Sequence, residues 1–98
     1  MGRELYSEAR DLLRAMLREA RISAQLSQVQ LSEKLQRPQS YVSDYERAHR
    51  RLDWVAVCEV LAACDQDLVD FAAKFQSAQA QAGRSPESTA EPTKSGPR

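Results

Sequence analysis

The sequence predicts an all-α domain of five helices, followed by a disordered C-terminal tail. Over the first 75 residues, apolar side chains recur at steps of three and four, which is the period of an amphipathic helix. No segment alternates apolar and polar residues as a half-buried strand does. The chain has 98 residues, 42% of them hydrophobic and only 3 of them glycine. This composition is typical of one small helix-rich domain with a single modest core.

The first helix is predicted from an apolar stripe near the N-terminus. Arg10, Asp11, Arg14 and Arg18 fall between the apolar positions and would form the solvated face. The period fails around residues 22–25, where we expect the helix to end. The apolar positions are Leu5, Ala9, Leu12, Leu13, Met16, Leu17 and Ala20.

The second helix is predicted from its N-terminal signal. Ser27 and Gln30 have the S-x-x-Q spacing of a capping box, in which each side chain bonds the other residue's backbone N–H. Leu26 before the cap and Leu31 after it are placed to form a hydrophobic staple. Pro38 restricts the residue before it, so this helix is predicted to be only eight or nine residues long.

Three further helices follow from similar signals. The third is predicted to open at or just after Pro38, because proline is tolerated in a first turn, with Val42 and Tyr45 facing inward. Asp53 is a good N-cap for a fourth helix, from Trp54 to about Cys64. The apolar positions of the fifth helix are Leu68, Phe71, Ala72 and Phe75.

The composition changes near residue 76. Four alanines are the only residues of the apolar class between Gln76 and Arg98, and three of the four prolines fall there. Such a segment buries too little apolar surface to offset the entropy lost on ordering. We therefore predict a folded domain over residues 1–75 and a disordered tail over residues 76–98.

Several function classes are excluded by the residues that the chain lacks. The sequence has no paired carboxylates, metal-ligand cluster, phosphate-binding loop or catalytic triad, so we predict no enzyme, no metal and no cofactor. Cys58 and Cys64 fit neither a redox motif nor a metal clip, and reduced cysteines suit a cytoplasmic protein. No apolar stretch is long enough to span a membrane, so no membrane partner is predicted.

Two very short helices joined by a tight turn, with polar residues on the second, form the helix-turn-helix pattern. The sequence around them resembles the Cro and phage-repressor family, also called the XRE family, over about residues 13–70. The most specific segments are LSQ at 26–28, LSEKL at 31–35, PQSYVSDYER at 38–47 and RRLD at 50–53. The resemblance implies a five-helix, lambda-repressor-like DNA-binding domain whose helix-turn-helix covers about residues 27–47.

The resemblance also implies a role for individual residues. The third helix would enter the major groove, where Gln pairs with adenine and Asp accepts from the cytosine amine. The implied base contacts are Gln39, Ser40, Tyr41, Ser43 and Asp44. The implied contacts to the DNA backbone are Gln28, Arg37, Arg47, His49, Arg50 and Arg51. The alternative interpretation of the same polar face is an ordinary solvated helix surface.

The family pattern implies one structural ion pair, and this sequence departs from the pattern at two turns. An arginine of the first helix is commonly tied to a glutamate near the end of the third, which here predicts an Arg21–Glu46 pair. Gln36 and Ala48 stand where the family usually has glycine. A left-handed conformation at either position would cost a non-glycine residue about 1–2 kcal/mol.

The chain has no net charge, but its charges are unevenly distributed. Its 14 basic residues balance 14 acidic ones. Residues 14–51 hold eight basic against four acidic residues, a net charge of +4, and residues 52–75 hold one basic against five acidic residues, a net charge of −4. The basic part coincides with the predicted helix-turn-helix, so the neutral total does not exclude DNA as a partner.

The leading hypothesis is a sequence-specific double-stranded DNA-binding repressor that acts as a homodimer on a near-palindromic operator. Half-sites about one helical turn apart, roughly 34–36 Å, are expected for such a dimer. The alternative is an antitoxin-like protein or an adaptor that uses the same fold to bind a protein partner. The candidate dimer residues lie in the last two helices: Trp54, Val57, Val60, Leu61, Leu68, Phe71 and Phe75.

Overall fold

The computed structural model describes residues 2–82 of the chain. Five α-helices and no strands are found in this part of the chain, which confirms the predicted all-α class. The part of the tail prediction beyond Ala82 lies outside the described residues. The helices are α1 (Gly2–Ser23), α2 (Gln28–Lys34), α3 (Tyr41–Glu46), α4 (Trp54–Ala63) and α5 (Leu68–Ala82).

The predicted helix starts are confirmed at α2 and α4. At α2, the Gln30 backbone N–H donates to Ser27 Oγ at 3.0 Å and the Ser27 N–H donates to Gln30 Oε1 at 2.8 Å. At α4, the Ala56 N–H donates to Asp53 Oδ1 at 2.8 Å. Each cap pairs backbone donors that the helix itself leaves without a partner, so short helices begin at defined residues.

Helix α3 begins later than predicted, because the chain first makes a turn. The Tyr41 N–H donates to the Pro38 carbonyl at 2.9 Å, and helical bonding starts only when the Asp44 N–H donates to the Ser40 carbonyl at 2.8 Å. Gln39 and Ser40 therefore precede the helix instead of forming its first turn. Ser40 is the N-cap, and its backbone already has right-handed helical dihedrals.

Helix α5 continues beyond the predicted domain boundary at residue 75. Residues 76–82 are helical, so the prediction of a disordered tail from residue 76 is wrong for these seven residues. The segment is rich in glutamine and alanine, which have high helix propensity. It extends an existing helix and so avoids the cost of nucleation. The prediction rested on apolar burial, which is indeed slight here, since among residues 76–81 only Ala78 is half-buried.

The core lies where α1 crosses the other helices. Helix α1 packs against α3, α4 and α5, and α2 packs against α3 and α4. Several candidate dimer residues belong to this core and are therefore unavailable to a partner. They are Val57, Val60, Leu61 and Phe71, each at most 6% exposed. Trp54 is 64% exposed and stays a candidate.

Helices α1 to α4 all end in the same way, with a non-glycine residue in the left-handed conformation. At the end of α3, the Ala48 N–H donates to the Tyr45 carbonyl and the His49 N–H to the Asp44 carbonyl, the two bonds of a Schellman motif. The left-handed residues are Gln25 (φ 63°), Gln36 (φ 58°), Ala48 (φ 68°) and Asp65 (φ 59°). The left-handed conformation anticipated at residues 36 and 48 is thus present, and two more sites share it.

Candidate nucleic-acid interface

A buried hydroxyl links α2 to α3. Ser32 lies in α2 with none of its surface exposed, and its Oγ accepts a hydrogen bond from the Val42 backbone N–H at 3.2 Å. This bond pairs a backbone donor in the first turn of α3 that no helical carbonyl reaches. The sequence pattern did not predict this contact, because a polar residue such as Ser32 next to Leu31 is expected at the surface.

A buried polar cluster holds both ends of this two-helix unit to α1. Arg21 donates to both carboxylate oxygens of Glu46, through Nε at 2.8 Å and Nη2 at 3.2 Å, and through Nη1 to the Leu26 carbonyl at 2.9 Å. The Arg21 and Glu46 side chains are only 10% and 4% exposed. The pair implied by the family resemblance is therefore in contact, in the bidentate geometry that makes such bonds strong.

Gln28 is the third member of this cluster. Its Nε2 donates to Glu46 Oε1 at 2.9 Å. The contact with the DNA backbone that the resemblance implied for this amide stays a prediction, since the bond to Glu46 uses only one N–H of Nε2. Gln28 thus ties the start of α2 to the end of α3, a role that the sequence did not reveal.

The predicted base-reading residues differ in how far they reach the surface. Gln39 and Ser40, in the turn before α3, are exposed, whereas Ser43 and Asp44 are half-buried in the helix. Ser43 Oγ donates to the Ser40 carbonyl at 3.3 Å. The side chains of Gln39, Ser40 and Asp44 make no hydrogen bond to any other described residue. Their donors and acceptors are therefore available to a ligand.

Tyr41 does not belong with the exposed base-reading residues, in contrast to the prediction. The residue is 7% exposed and belongs to the hydrophobic core. Its ring meets the ring of Tyr45 edge to face, with the centroids 5.8 Å apart. Tyr41 has polar neighbours in the sequence, which favoured an exposed position. In the folded domain, burying its large aromatic ring gives a lower free energy than leaving the ring in water.

Two arginines from different loops converge on the Tyr41 ring. The guanidinium carbon of Arg37 lies 5.4 Å from the ring centroid and that of Arg50 lies 5.2 Å from it, both within cation–π range. Arg37 also donates to Glu59 Oε1 of α4 at 3.1 Å. Tyr41 thus holds two predicted backbone-contacting arginines beside α3.

The comparison with known protein families agrees with this geometry. A family model described as a helix-turn-helix domain matches residues 12–73, well over half of the chain. The chain belongs to the helix-turn-helix domain family. A comparison with the curated proteins gives no match. Family membership indicates a DNA-binding regulator.

The connection between α3 and α4 carries four of the six predicted backbone contacts. Arg47, His49, Arg50 and Arg51 are all exposed there, between the end of α3 and the start of α4. None of these four side chains has an ion-pair partner in the part of the chain that the structure describes. The three arginines leave uncompensated positive charge beside α3, which suits a phosphate backbone.

Burial raises two pKa values in the core of the helix-turn-helix domain. Burial is the main cause of the raised pKa of the Tyr45 hydroxyl, with the Glu46 carboxylate adding to it. Burial likewise raises the pKa of the Cys64 thiol. The Tyr45 hydroxyl has no hydrogen-bond partner among the described residues. Both groups are therefore neutral near pH 7 and serve the packing of the domain.

Other site types are not found in this part of the chain. Within residues 2–82, no helix of the helix-turn-helix domain is long and apolar enough to cross a membrane. No cluster of three or more His, Cys, Asp or Glu side chains that could bind a metal occurs among the same residues.

Proposed function

We propose that this helix-turn-helix protein is a sequence-specific transcriptional repressor that acts in the cytoplasm as a homodimer on a near-palindromic operator. One observation carries the proposal. A polar surface around α3 has unpaired donors and acceptors, while the helix beneath it is fixed by the buried Arg21–Glu46–Gln28 cluster. A surface held rigidly in this way can select a DNA sequence, because misplaced groups would lose their hydrogen bonds.

Base selection is assigned to the polar residues of α3 and of the turn before it. Gln39 has the amide that pairs bidentately with adenine, and Asp44 has a carboxylate that accepts from the cytosine amine. Ser40 and Ser43 can donate to or accept from either base type. Each good base contact is worth about 1–3 kcal/mol of discrimination against the wrong base. Asp44 faces a polyanion, so its contribution is favourable only beside a cytosine.

DNA affinity is assigned to the basic side chains around the recognition surface. Arg37 and Arg50 are presented by the Tyr41 ring, and Arg47, His49 and Arg51 are exposed in the connection after α3. Such residues neutralise phosphates without reading bases, so they set the salt dependence of binding. With few basic residues per protomer, we expect weak nonspecific binding and a strong dependence on the base contacts.

The homodimer follows from the small size of the recognition element. Helix α3 has six residues, so one protomer spans only a few base pairs, and two half-sites are needed for a useful specificity. Trp54 and Val55 of α4 are 64% and 62% exposed. Exposed apolar residues of this size are the favoured candidates for the surface between protomers.

The experiment is selection of bound sequences from a random double-stranded DNA library. We expect an enriched near-palindrome with half-sites about one helical turn apart. The variant Gln39→Ala with Ser40→Ala should lose the enrichment. The chain supplies a matched control, since Gln76 and Ser77 are the same dipeptide, exposed on α5. The variant Gln76→Ala with Ser77→Ala should select the same operator. Failure to retain any DNA at low salt would refute the proposal and favour a protein-binding module.

A further inference from the structure

A cleft opens on the side of α1, next to the connection between α3 and α4. Its volume is about 300 Å³, at the lower end of the range for small-molecule sites. One wall is the middle of α1, with Arg10 and Arg14, and the other is the connection, with Arg50 and Arg51. The apolar residues of the lining are Leu13, Leu17, Tyr45 and Leu52.

The charges of this cleft are unbalanced. Four arginine residues line it against one acidic residue, Asp11, and Asp11 pairs with Arg14. The Arg50 guanidinium also lies over the Tyr41 ring, 5.2 Å from its centroid. Arg10, Arg50 and Arg51 make no ion pair with any residue whose side chain the structure describes. Like charges gathered in a concave site with apolar walls concentrate a positive potential, which draws in anions.

We propose that this cleft binds a small organic anion that combines a phosphate or carboxylate group with an apolar body. The guanidinium fork matches the oxygens of either group, and two arginines on opposite walls can hold one anionic group together. The leucines and Tyr45 beneath them favour a ligand with an apolar part over a bare inorganic ion. The arginines favour an anionic group and the apolar residues favour an apolar body, so both favour an amphipathic organic anion.

Occupancy of the cleft would affect DNA binding, and this step rests on the proposed function. Arg50 and Arg51 line the cleft and are also assigned to the DNA backbone. An anion that engages them removes two phosphate contacts. By linkage, the ligand lowers the affinity for DNA by the same factor by which DNA lowers the affinity for the ligand.

The test measures binding of phenyl phosphate and inorganic phosphate to the full chain in the absence of DNA. Isothermal titration calorimetry should give one site per chain, with phenyl phosphate bound at least about tenfold more tightly because its ring reaches the apolar residues. Arg14→Ala should weaken phenyl phosphate binding about tenfold or more. Arg18→Ala, an exposed arginine of α1 outside the cleft, should leave it unchanged. Asp11→Asn should strengthen binding.

Two results would overturn the proposal. Equal weakening by Arg14→Ala and Arg18→Ala, or equal affinity for the two phosphates, would mean that the protein attracts an adventitious ion only. A thermal melt of each variant separates loss of the site from loss of the fold.

A separate titration asks whether saturating phenyl phosphate lowers the affinity for the selected operator. If the ligand binds but operator affinity is unchanged, the link to DNA is wrong. If the protein binds no DNA, the calorimetric test of the cleft still stands.

Discussion

Replacing the left-handed residues by glycine should stabilise this protein, although each replacement removes side-chain atoms. At Ala48, where φ is 68°, a Cβ atom costs about 1–2 kcal/mol relative to glycine. Glycine in turn gives the unfolded chain more freedom, which costs about 0.4–1 kcal/mol. The difference predicts that Ala48→Gly raises the free energy of unfolding by up to about 1.6 kcal/mol, with a middle value of about 0.8 kcal/mol. Gln36→Gly should act similarly, because Gln36 is exposed and has φ 58°.

The assay is urea unfolding, in which a higher midpoint at constant slope reports a gain in stability. For a domain of this size, 1 kcal/mol corresponds to a melting-temperature shift of about 4–8 °C. The matched control is Glu33→Gly, which places glycine at an exposed position in the last turn of α2 and should lower stability by about 0.5 kcal/mol. If Ala48→Gly and Gln36→Gly lower stability as Glu33→Gly does, the reasoning about the helix ends is refuted.

Three further predictions concern the buried polar groups. Arg21→Ala leaves the Glu46 carboxylate buried without its partner and should cost about 3–5 kcal/mol in urea unfolding, whereas Arg37→Ala, which breaks an exposed pair, should cost about 0–1 kcal/mol. Ser32→Ala leaves a buried backbone N–H unpaired and should cost about 1–3 kcal/mol by the same measurement, and a loss below that range would argue against the bond. Tyr45→Phe removes a hydroxyl without a partner and should leave stability at pH 7 unchanged or higher. The folded-state pKa of Tyr45 lies above its unfolded value of about 10, so the wild type should lose stability as pH rises above 10. An equally large loss in Tyr45→Phe would show that the Tyr45 hydroxyl does not cause it.

Local signals in the sequence were enough to predict where α2 and α4 begin, although not where α3 begins. The capping box at Ser27 and the cap at Asp53 each depend on residues within three positions of one another, and both are present in the structure. The end of α5 was not predicted, because helix propensity extends it where apolar burial is slight. The left-handed conformations of Gln25 and Asp65 were also not predicted. Neither residue is glycine, and the backbone hydrogen bonds of a Schellman motif require no particular side chain that the sequence could show.

Of the contacts between residues far apart in the sequence, one was predicted and the others were not. The Arg21–Glu46 contact spans 25 positions, and only the family resemblance indicated it. The Arg37–Glu59 pair spans 22 positions and has no counterpart in the pattern, so nothing in the sequence pointed to it. The burial of Tyr41 depends on how α3 lies against the core, which periodicity within a six-residue helix cannot determine.

The brevity of α3 has a consequence for how the recognition surface behaves when the protein unfolds. Six residues make fewer than two turns, and an isolated helix of this length has almost no stability in water. Helix α3 therefore exists only while Ser32, Glu46 and the core hold it. Amide hydrogens in its interior should exchange with solvent only through opening of the whole domain. A peptide spanning residues 27–47 would be unstructured, so recognition and global folding form one cooperative unit.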